Sequence, residues 1–300
     1  MFNFNLPILN RPILWYGFFF ALGFFVGYLC LTYLLRRYLL FFTQMRKEDV
    51  IISLKQQITK VAEQMTFYVI IGAIIGSRLG DVLFYQSWSD LVHDPLSIIA
   101  VWQGGLASHG GAIGILIALY VFSRKRKIAF WTAVDLTVIP TAIAGVCIRI
   151  GNFFNQEILG VPTTLPWGII FLHPVDGGPI VPRHPAQLYE AVAYLSVFAI
   201  LLLYWHRYLY CARPKALNLD SASIPFQKRG KLTGLFLLLV FSFRFLIEWI
   251  KVEQSVHLSG SSFLTMGQWL SIPFILLGFW LLFRKQSGQD SIGLFSVERN

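Results

Sequence analysis

The chain has 300 residues, of which 56% are hydrophobic and 13% are charged, and its mean hydropathy is +0.61. Soluble domains carry about 25% charged residues, so this composition excludes an ordinary soluble fold, and it also excludes a disordered chain and a disulfide scaffold. A net charge of +10 is compatible with nucleic-acid binding, but membrane proteins place Lys and Arg in cytoplasmic loops as topology signals. We therefore expect a polytopic membrane protein and no nucleic-acid partner.

Seven stretches of the sequence approach the roughly 20 apolar residues that a membrane-spanning helix requires. They are residues 13–35, 67–84, 96–122, 128–148, 188–205, 232–250 and 263–283. The first stretch has no basic segment before it and no small-residue cleavage site after it, so it is interpreted as a span and not as a signal peptide. The pattern predicts an all-α integral membrane protein with seven transmembrane helices in a single domain, residues 1–300.

Positive residues are distributed unequally between the predicted loops. They cluster after the first, third, fifth and seventh spans, at residues 36–60, 124–127, 207–231 and 284–299, whereas the opposite side carries Arg11, Arg183 and Lys251. Because positive residues favour the cytoplasmic side, we expect the N-terminus outside and the C-terminus in the cytoplasm. The Gly- and Pro-rich outward loop, residues 151–187, is then long enough to form a small extracytoplasmic cap.

Three arginines fall within the predicted spans, where each charge costs at least about 2.5–3.5 kcal/mol and is expected to face the bundle interior. With the predicted orientation, the polar residues of the spans converge on the outer half of the membrane: Tyr16, Arg78, His109, Arg149, Glu190 and Arg244. Two structural alternatives stay open. Arg78 and Asp81, at spacing i, i+3, are typical of a clamp within one helix, and Arg244 and Glu248, at i, i+4, are spaced to neutralise each other.

His109 lies between two pairs of glycines in a span without another ionisable group. A single histidine on an apolar helix is most often a core residue whose hydrogen bonds are satisfied. Here the pairs Gly104–Gly105 and Gly110–Gly111 indicate either a close backbone approach or a broken helix. The three cysteines, in contrast, have no metal-ligand spacing and are interpreted as small buried hydrophobic residues: Cys30, Cys147 and Cys211.

The densest polar segment is R-I-G-N-F-F-N-Q-E-I-L-G, residues 149–160. It combines an arginine with two asparagines, a glutamine and a glutamate. Arginine presents a planar pair of donors that stays charged in a low dielectric, and asparagine adds neutral donors, so this set suits a phosphate or another oxyanion. The outward loop ends in P-R-H-P-A-Q-L-Y-E, residues 182–190, which contributes His184 and Glu190.

Residues 149–160 resemble the signature of the bacterial prolipoprotein diacylglyceryl transferases. Five further matches follow the family's order along the chain: residues 15–17, 76–80, 104–111 and 183–190, and Arg244 with Glu248 followed by residues 266–268. The resemblance implies transfer of the diacylglyceryl group of phosphatidylglycerol to the thiol of a lipobox cysteine in a prolipoprotein, with formation of a thioether and release of glycerol phosphate. It also implies a multi-pass protein of the bacterial cytoplasmic (inner) membrane whose partners are this lipid, prolipoprotein signal peptides and the bilayer.

The same resemblance implies the residues of the site. Those expected to take part in catalysis are Tyr16, His109, Arg149 and Arg244. Those expected to bind substrate are Arg149, Asn152, Glu157, Gly160, Arg78, His184 and Glu248. The chain departs from the family's usual residues at Ile148, Val240 and Lys251, and the valine, where many relatives have tyrosine, removes a hydroxyl from that wall of the cavity.

No metal or other cofactor is expected, because the substrate supplies the thiol nucleophile. A thiolate attacks better than a thiol, so either His109 acts as a base or the field of Arg149 and Arg244 lowers the thiol's pKa. A transporter of anionic solutes is an alternative, although the polar residues are predicted at one level and not along a path through both leaflets. A lipid-binding subunit without catalytic activity is a second alternative, in which the glycine-flanked His109 would have no purpose.

Overall fold

The computed structural model describes residues 4–5, 12–13, 15–43, 48–86, 93–99, 107–126, 128–211, 230–252 and 264–284. These residues form seven α-helices: α1 (Trp15–Thr43), α2 (Glu48–Tyr85), α3 (Ser108–Arg126), α4 (Phe130–Phe154), α5 (Ala186–Cys211), α6 (Lys231–Ile247) and α7 (Met266–Phe283). Two 3₁₀ helices, Pro95–Ile99 and Glu248–Ile250, precede α3 and follow α6. Two small antiparallel pairs complete the structure: β1 (Phe4–Asn5) with β2 (Pro12–Ile13), and β3 (Ile169–Ile170) with β4 (Pro182–Arg183).

Six helical segments among the described residues are long and apolar enough to cross a membrane: Gly17–Arg37, Lys55–Phe84, Phe130–Phe154, Ala186–Arg207, Lys231–Ile250 and Met266–Phe283. They confirm a multi-pass helical membrane protein. The predicted third span, residues 96–122, corresponds to the 3₁₀ helix Pro95–Ile99 and to α3, whose last turn is Arg124, Lys125 and Arg126. Residues 100–106 lie outside the described part, so a seventh crossing and the orientation remain predictions.

Helix α2 begins well before the span that hydropathy predicts at residue 67. It starts at Glu48 and runs for 38 residues. The added segment is rich in Lys, Gln and Glu, which are favourable helix formers although they are polar. The helix therefore continues beyond its apolar part, because hydropathy locates the membrane-buried length of a helix and not its ends.

The structure divides into two compact units. The first contains α5, α6, α7, the segment 155–185, the part of α1 up to Cys30 and the part of α4 from Thr137; the second contains α2, α3 and the remaining parts of α1 and α4. In the second unit, α2 and α3 pack backbone to backbone through glycines. A Cβ added at Gly80 would lie 2.8 Å from the Gly110 Cα, and one at Gly114 would lie 2.8 Å from the Gly76 Cα. This packing confirms the predicted close backbone approach at Gly110.

Three chain segments meet in the first unit beside the end of α6. Residues 159–161 pair with residues 183–184 on one side and with residues 250–252 on the other. The Gly160 N–H donates to the His184 carbonyl at 3.1 Å, and the Val161 N–H donates to the Ile250 carbonyl at 2.9 Å. A Cβ at Gly160 would lie 2.9 Å from the Ile250 carbonyl oxygen and closer still to the His184 Cβ. Glycine is therefore required at this crossing point by lack of space.

Candidate active site

Arg149 lies near the end of α4, where two side chains fix its guanidinium. Its Nη1 donates to the Asn152 Oδ1 at 3.1 Å, and its Nε lies 3.2 Å from the Glu190 Oε2. Asn152 is one helical turn further along the same helix face, whereas Glu190 comes from the first turns of α5. With 14% of its side chain exposed, Arg149 is a largely desolvated cation whose orientation is set by two different elements.

The turn that follows α4 holds Glu157 against Asn152. The Asn152 Nδ2 donates to the Glu157 Oε1 at 2.6 Å, and the Gln187 Nε2 donates to the Glu157 carbonyl at 2.6 Å. Gln156 and Ile158, on either side, have φ values of 55° and 57°, a left-handed conformation that is strained for a β-branched residue. This turn, fixed from both sides, places the Glu157 carboxylate where it orients the amide that contacts Arg149.

Glu190 also contacts a second cation, Lys251. The Lys251 Nζ lies 2.7 Å from the Glu190 Oε1 and 4.0 Å from the Glu248 Oε2. Burial lowers the pKa of Lys251 from its ordinary value of 10.5, the Glu190 carboxylate opposes this shift, and the charge of Arg149 adds to the lowering. The sequence placed Glu190 among the polar residues that converge on the outer half of the membrane, but it gave neither Glu190 nor Lys251 a catalytic or binding role.

Arg244 faces a small, open cavity between α5 and α6. The cavity has a charged end, formed by Glu190 and Arg244, and otherwise apolar and aromatic walls: Ala193, Tyr194, Val197, Val240 and Phe243. The position of Val240 agrees with the expectation that this wall has no hydroxyl. Gly145 on α4 leaves room for Tyr194, since a Cβ there would lie 2.8 Å from its ring.

The sequence left open an ion pair between Arg244 and Glu248, and this ion pair does not form. Helix α6 ends at Ile247, and the Glu248 N–H still donates to the Arg244 carbonyl, so the side chains and not the backbone turn away from each other. The Glu248 carboxylate lies against Gly267, where a Cβ would overlap it, and 4.0 Å from the Lys251 Nζ. Within the described part of the chain, the Arg244 guanidinium has no carboxylate within 4.0 Å.

His184 pairs through its backbone with residues 160 and 161 of the cap. The His184 Nδ1 lies 3.3 Å from the Tyr189 hydroxyl, which also accepts a hydrogen bond from the Trp167 Nε1 at 2.8 Å. The Arg183 Nη1 contacts the Asp176 Oδ2 at 2.7 Å. Partial burial raises the pKa of Asp176, but hydrogen bonds from the Gly178 N–H and Arg183 outweigh it, so the pKa lies below its ordinary value of 3.8.

Arg78 and His109 belong to the second unit. The buried Arg78 contacts the Asp81 Oδ2 at 3.2 Å and donates from Nε to the Ser97 carbonyl at 3.1 Å. It therefore anchors the 3₁₀ helix Pro95–Ile99 to α2, and this geometry favours the clamp over a substrate contact. His109 is exposed in the first turn of α3, with its ring centroid 5.4 Å from that of Phe84.

Tyr16 lies in the first turn of α1, and its side chain is outside the described residues. The structure thus brings together Arg149, Asn152, Glu157, Gly160, His184, Arg244 and Glu248 in the first unit. In the described ranges, no group of three or more His, Cys, Asp or Glu side chains is placed to hold a metal ion.

These features define a multi-pass helical membrane protein whose first unit contains a cavity lined by an arginine and a buried carboxylate. Residues 4–284 match the prolipoprotein diacylglyceryl transferase family. The chain belongs to this family, which confirms the resemblance drawn from residues 149–160.

Several relatives carry the name phosphatidylglycerol–prolipoprotein diacylglyceryl transferase. The protein of Porphyromonas gingivalis is 40% identical over 288 residues, covering 92% of this chain and 90% of the relative. That of Tolumonas auensis is 36% identical over 269 residues, covering 89% of each. That of Protochlamydia amoebophila is 42% identical over 248 residues, covering 81% of this chain but 62% of the relative's own length.

Proposed function

We propose that this chain transfers the diacylglyceryl group of phosphatidylglycerol to the thiol of the lipobox cysteine of prolipoproteins, the first step of bacterial lipoprotein maturation. The observation that carries the proposal is the cavity of Arg244 and Glu190 beside Arg149, in a chain that belongs to this family. Its charged end suits a phosphate, and its apolar walls suit the hydrocarbon part of a lipid.

The proposed reaction is a displacement at the carbon of the diacylglyceryl group that is bonded to the phosphate oxygen. The cysteine sulfur forms a bond to this carbon, the carbon–oxygen bond breaks, and the oxygen leaves with glycerol phosphate. Negative charge grows on the departing phosphate, so donors already oriented in a desolvated site lower the barrier. Arg149 meets this requirement because Asn152 and Glu190 fix its guanidinium, and Arg244 supplies a second cation at the cavity.

The thiol proton must also be removed, and we propose His109 as its acceptor on the basis of the family resemblance. A neutral imidazole accepts a proton near neutral pH. The alternative is that the two arginines lower the thiol's pKa by their field, in which case His109 serves as a hydrogen-bond donor. The remaining predicted site residues are proposed as follows: Tyr16 in catalysis, and Asn152, Glu157, Gly160, His184 and Glu248 in forming the substrate-binding site.

We also propose that the enzyme lies in the bacterial inner membrane and crosses it seven times, with the N-terminus outside and the cap on the outer face. The distribution of Lys and Arg supports this orientation. It places Arg149 and the cap at the surface where a translocated prolipoprotein, still held by its signal peptide, presents its cysteine.

Purified protein in detergent, given a lipobox peptide and phosphatidylglycerol labelled in the glycerol backbone of its diacylglyceryl group, tests the function. We expect labelled peptide in which the label survives as a thioether, together with free glycerol phosphate. A peptide with serine in place of the cysteine is the control and should stay unlabelled. Lipid binding without thioether formation would instead indicate a lipid-binding protein. Movement of an anionic solute across the membrane of reconstituted vesicles would indicate a transporter.

A further inference from the structure

Glu190 lies between two cations and gives one carboxylate oxygen to each. Its Oε2 lies 3.2 Å from the Arg149 Nε, and its Oε1 lies 2.7 Å from the Lys251 Nζ. The Glu190 side chain is 4% exposed and that of Lys251 is 8% exposed. All three charges are therefore largely removed from water, where charge interactions are stronger than at a surface.

The backbone of the cap holds Lys251 at this position. Lys251 forms a β-bridge with Gly160, and the next residue, Val252, donates its N–H to the Leu159 carbonyl at 3.0 Å. Its Nζ also lies 4.0 Å from the Glu248 Oε2. The lysine is thus fixed by the segment that contains Gly160, and it contacts the carboxylate oxygen of Glu190 that does not face Arg149.

This arrangement affects how strongly Arg149 attracts a phosphate. A carboxylate that pairs with a single guanidinium cancels most of the positive charge of that guanidinium, and it competes with an incoming anion for the same group. When a second cation shares the same carboxylate, the pair carries net positive charge toward the substrate. Removing the partner of a buried charge is also costly. The net charge that the site presents to a phosphate therefore depends on Arg149, Glu190 and Lys251 together.

We propose that Lys251 is a positioning residue that shares the negative charge of Glu190 and so keeps the guanidinium of Arg149 available to the lipid phosphate. The inference rests on the proposed function, because it assigns the anion to phosphatidylglycerol. It predicts that the affinity for this lipid depends on the charge balance between positions 190 and 251, and not on the ion pair itself.

A charge-balanced pair of variants tests the proposal. Lys251→Met removes the cation and leaves Glu190 to Arg149 alone, so the KM for phosphatidylglycerol should rise about tenfold, while kcat changes by less than about threefold. The double variant Lys251→Met/Glu190→Gln removes both charges and leaves Arg149 without a competing carboxylate, so its KM should return to within about threefold of the starting value. Lys60→Met, an exposed lysine on α2, is the matched control.

The double variant separates this role from a merely structural one. If Lys251 only held the cap in place, both variants would lack the ion pair and would lose thermal stability alike, and the KM would not recover in the double variant. A KM in the double variant as high as in Lys251→Met, or an unchanged KM in Lys251→Met, overturns the proposal. If Lys251→Met does not fold, the double variant decides alone: a KM near the starting value supports the proposal, and a raised one overturns it.

Binding of a fluorescent phosphatidylglycerol to the purified protein in zwitterionic micelles, without peptide, gives an independent reading. The Kd should follow the same order as the KM across these variants. If the unaltered protein forms no thioether, the proposed function fails, but the order of the Kd values still tests the role of Lys251. A Kd that is equal in all variants overturns it.

Discussion

The guanidinium of Arg149 is oriented by contacts at two of its nitrogens. Nη1 contacts Asn152 and Nε contacts Glu190, and both partners are in turn held, by Glu157 and by Lys251. A planar fork satisfies these two partners in one orientation, whereas an ammonium group is a compact charge without that geometry. We therefore expect the arginine to contribute direction as well as charge.

Replacing Arg149 separates these two contributions. Arg149→Ala should lower kcat/KM by about 10²–10³, the usual effect of losing an oriented donor, and Arg149→Lys should recover only part of this loss because it restores charge without the fork. Arg37→Lys, exposed on α1, should leave the rate of thioether formation unchanged. Wild-type turnover in a folded Arg149→Lys variant would mean that a positive field is sufficient.

His109 is the residue for which two chemical roles make different predictions. If it is the base, His109→Gln should lower the rate by about 10²–10⁴, and the remaining activity should rise with pH as the peptide thiol ionises near its free pKa of about 8.5. His206→Gln is the matched control. The measurement is the rate of thioether formation from pH 6 to 9; a nearly normal rate with an unchanged profile would assign thiol activation to the arginines.

Local sequence predicted the cluster around Arg149 because its members lie close together in the chain. Arg149, Asn152 and Glu157 fall within one turn of helix and the turn after it, so their proximity follows from backbone geometry. The contact between Glu190 and Lys251 joins residues 61 positions apart, and it depends on how the end of α6 pairs with residues 159–161. No spacing rule contains that information.

At the scale of elements, the two predicted ion pairs have different outcomes. Arg78 and Asp81, three residues apart inside helix α2, make the expected contact at 3.2 Å. Arg244 and Glu248, four residues apart, do not, because the Glu248 carboxylate lies against Gly267 and 4.0 Å from the Lys251 Nζ. Residue spacing shows which side chains can reach each other along one helix, but it does not contain the contacts that another element offers to one of them.

The glycine packing of α2 against α3 gives a prediction of its own. A Cβ at Gly114 would lie 2.8 Å from the Gly76 Cα, so Gly114→Ala must separate the helices and should destabilise the protein by about 1–3 kcal/mol, as overpacking typically does. Gly111→Ala is the control, since its Cβ would lie 3.4 Å from the Ser77 Cβ, an ordinary contact. Thermal unfolding in detergent compares them, and equal midpoints would show that this close approach does not limit stability.

At the scale of the molecule, hydropathy predicted where most helices lie but not how they group. Six of the seven predicted spans correspond to apolar helices, since long apolar segments need a low-dielectric surrounding whatever their partners. The division into two units, with α1 and α4 each contributing to both, does not follow from hydropathy, which is a property of each segment alone. Helix α3, which covers only part of the predicted third span, is not among the six: it begins at Ser108 and ends in three basic residues.

The orientation of the whole chain is the property on which access of both substrates depends. The predicted orientation places the exposed Val175, in the cap, outside, and the exposed Lys55, near the start of the second apolar segment, in the cytoplasm. In a background with the three native cysteines replaced by alanine, Val175→Cys should be labelled by a membrane-impermeant maleimide on intact spheroplasts, and Lys55→Cys should be labelled only after lysis. Both variants must retain thioether formation, so that labelling reports on the native arrangement. Labelling of Lys55→Cys in intact spheroplasts with Val175→Cys protected would reverse the orientation and place the Arg149 site on the cytoplasmic side, where a translocated prolipoprotein does not present its cysteine.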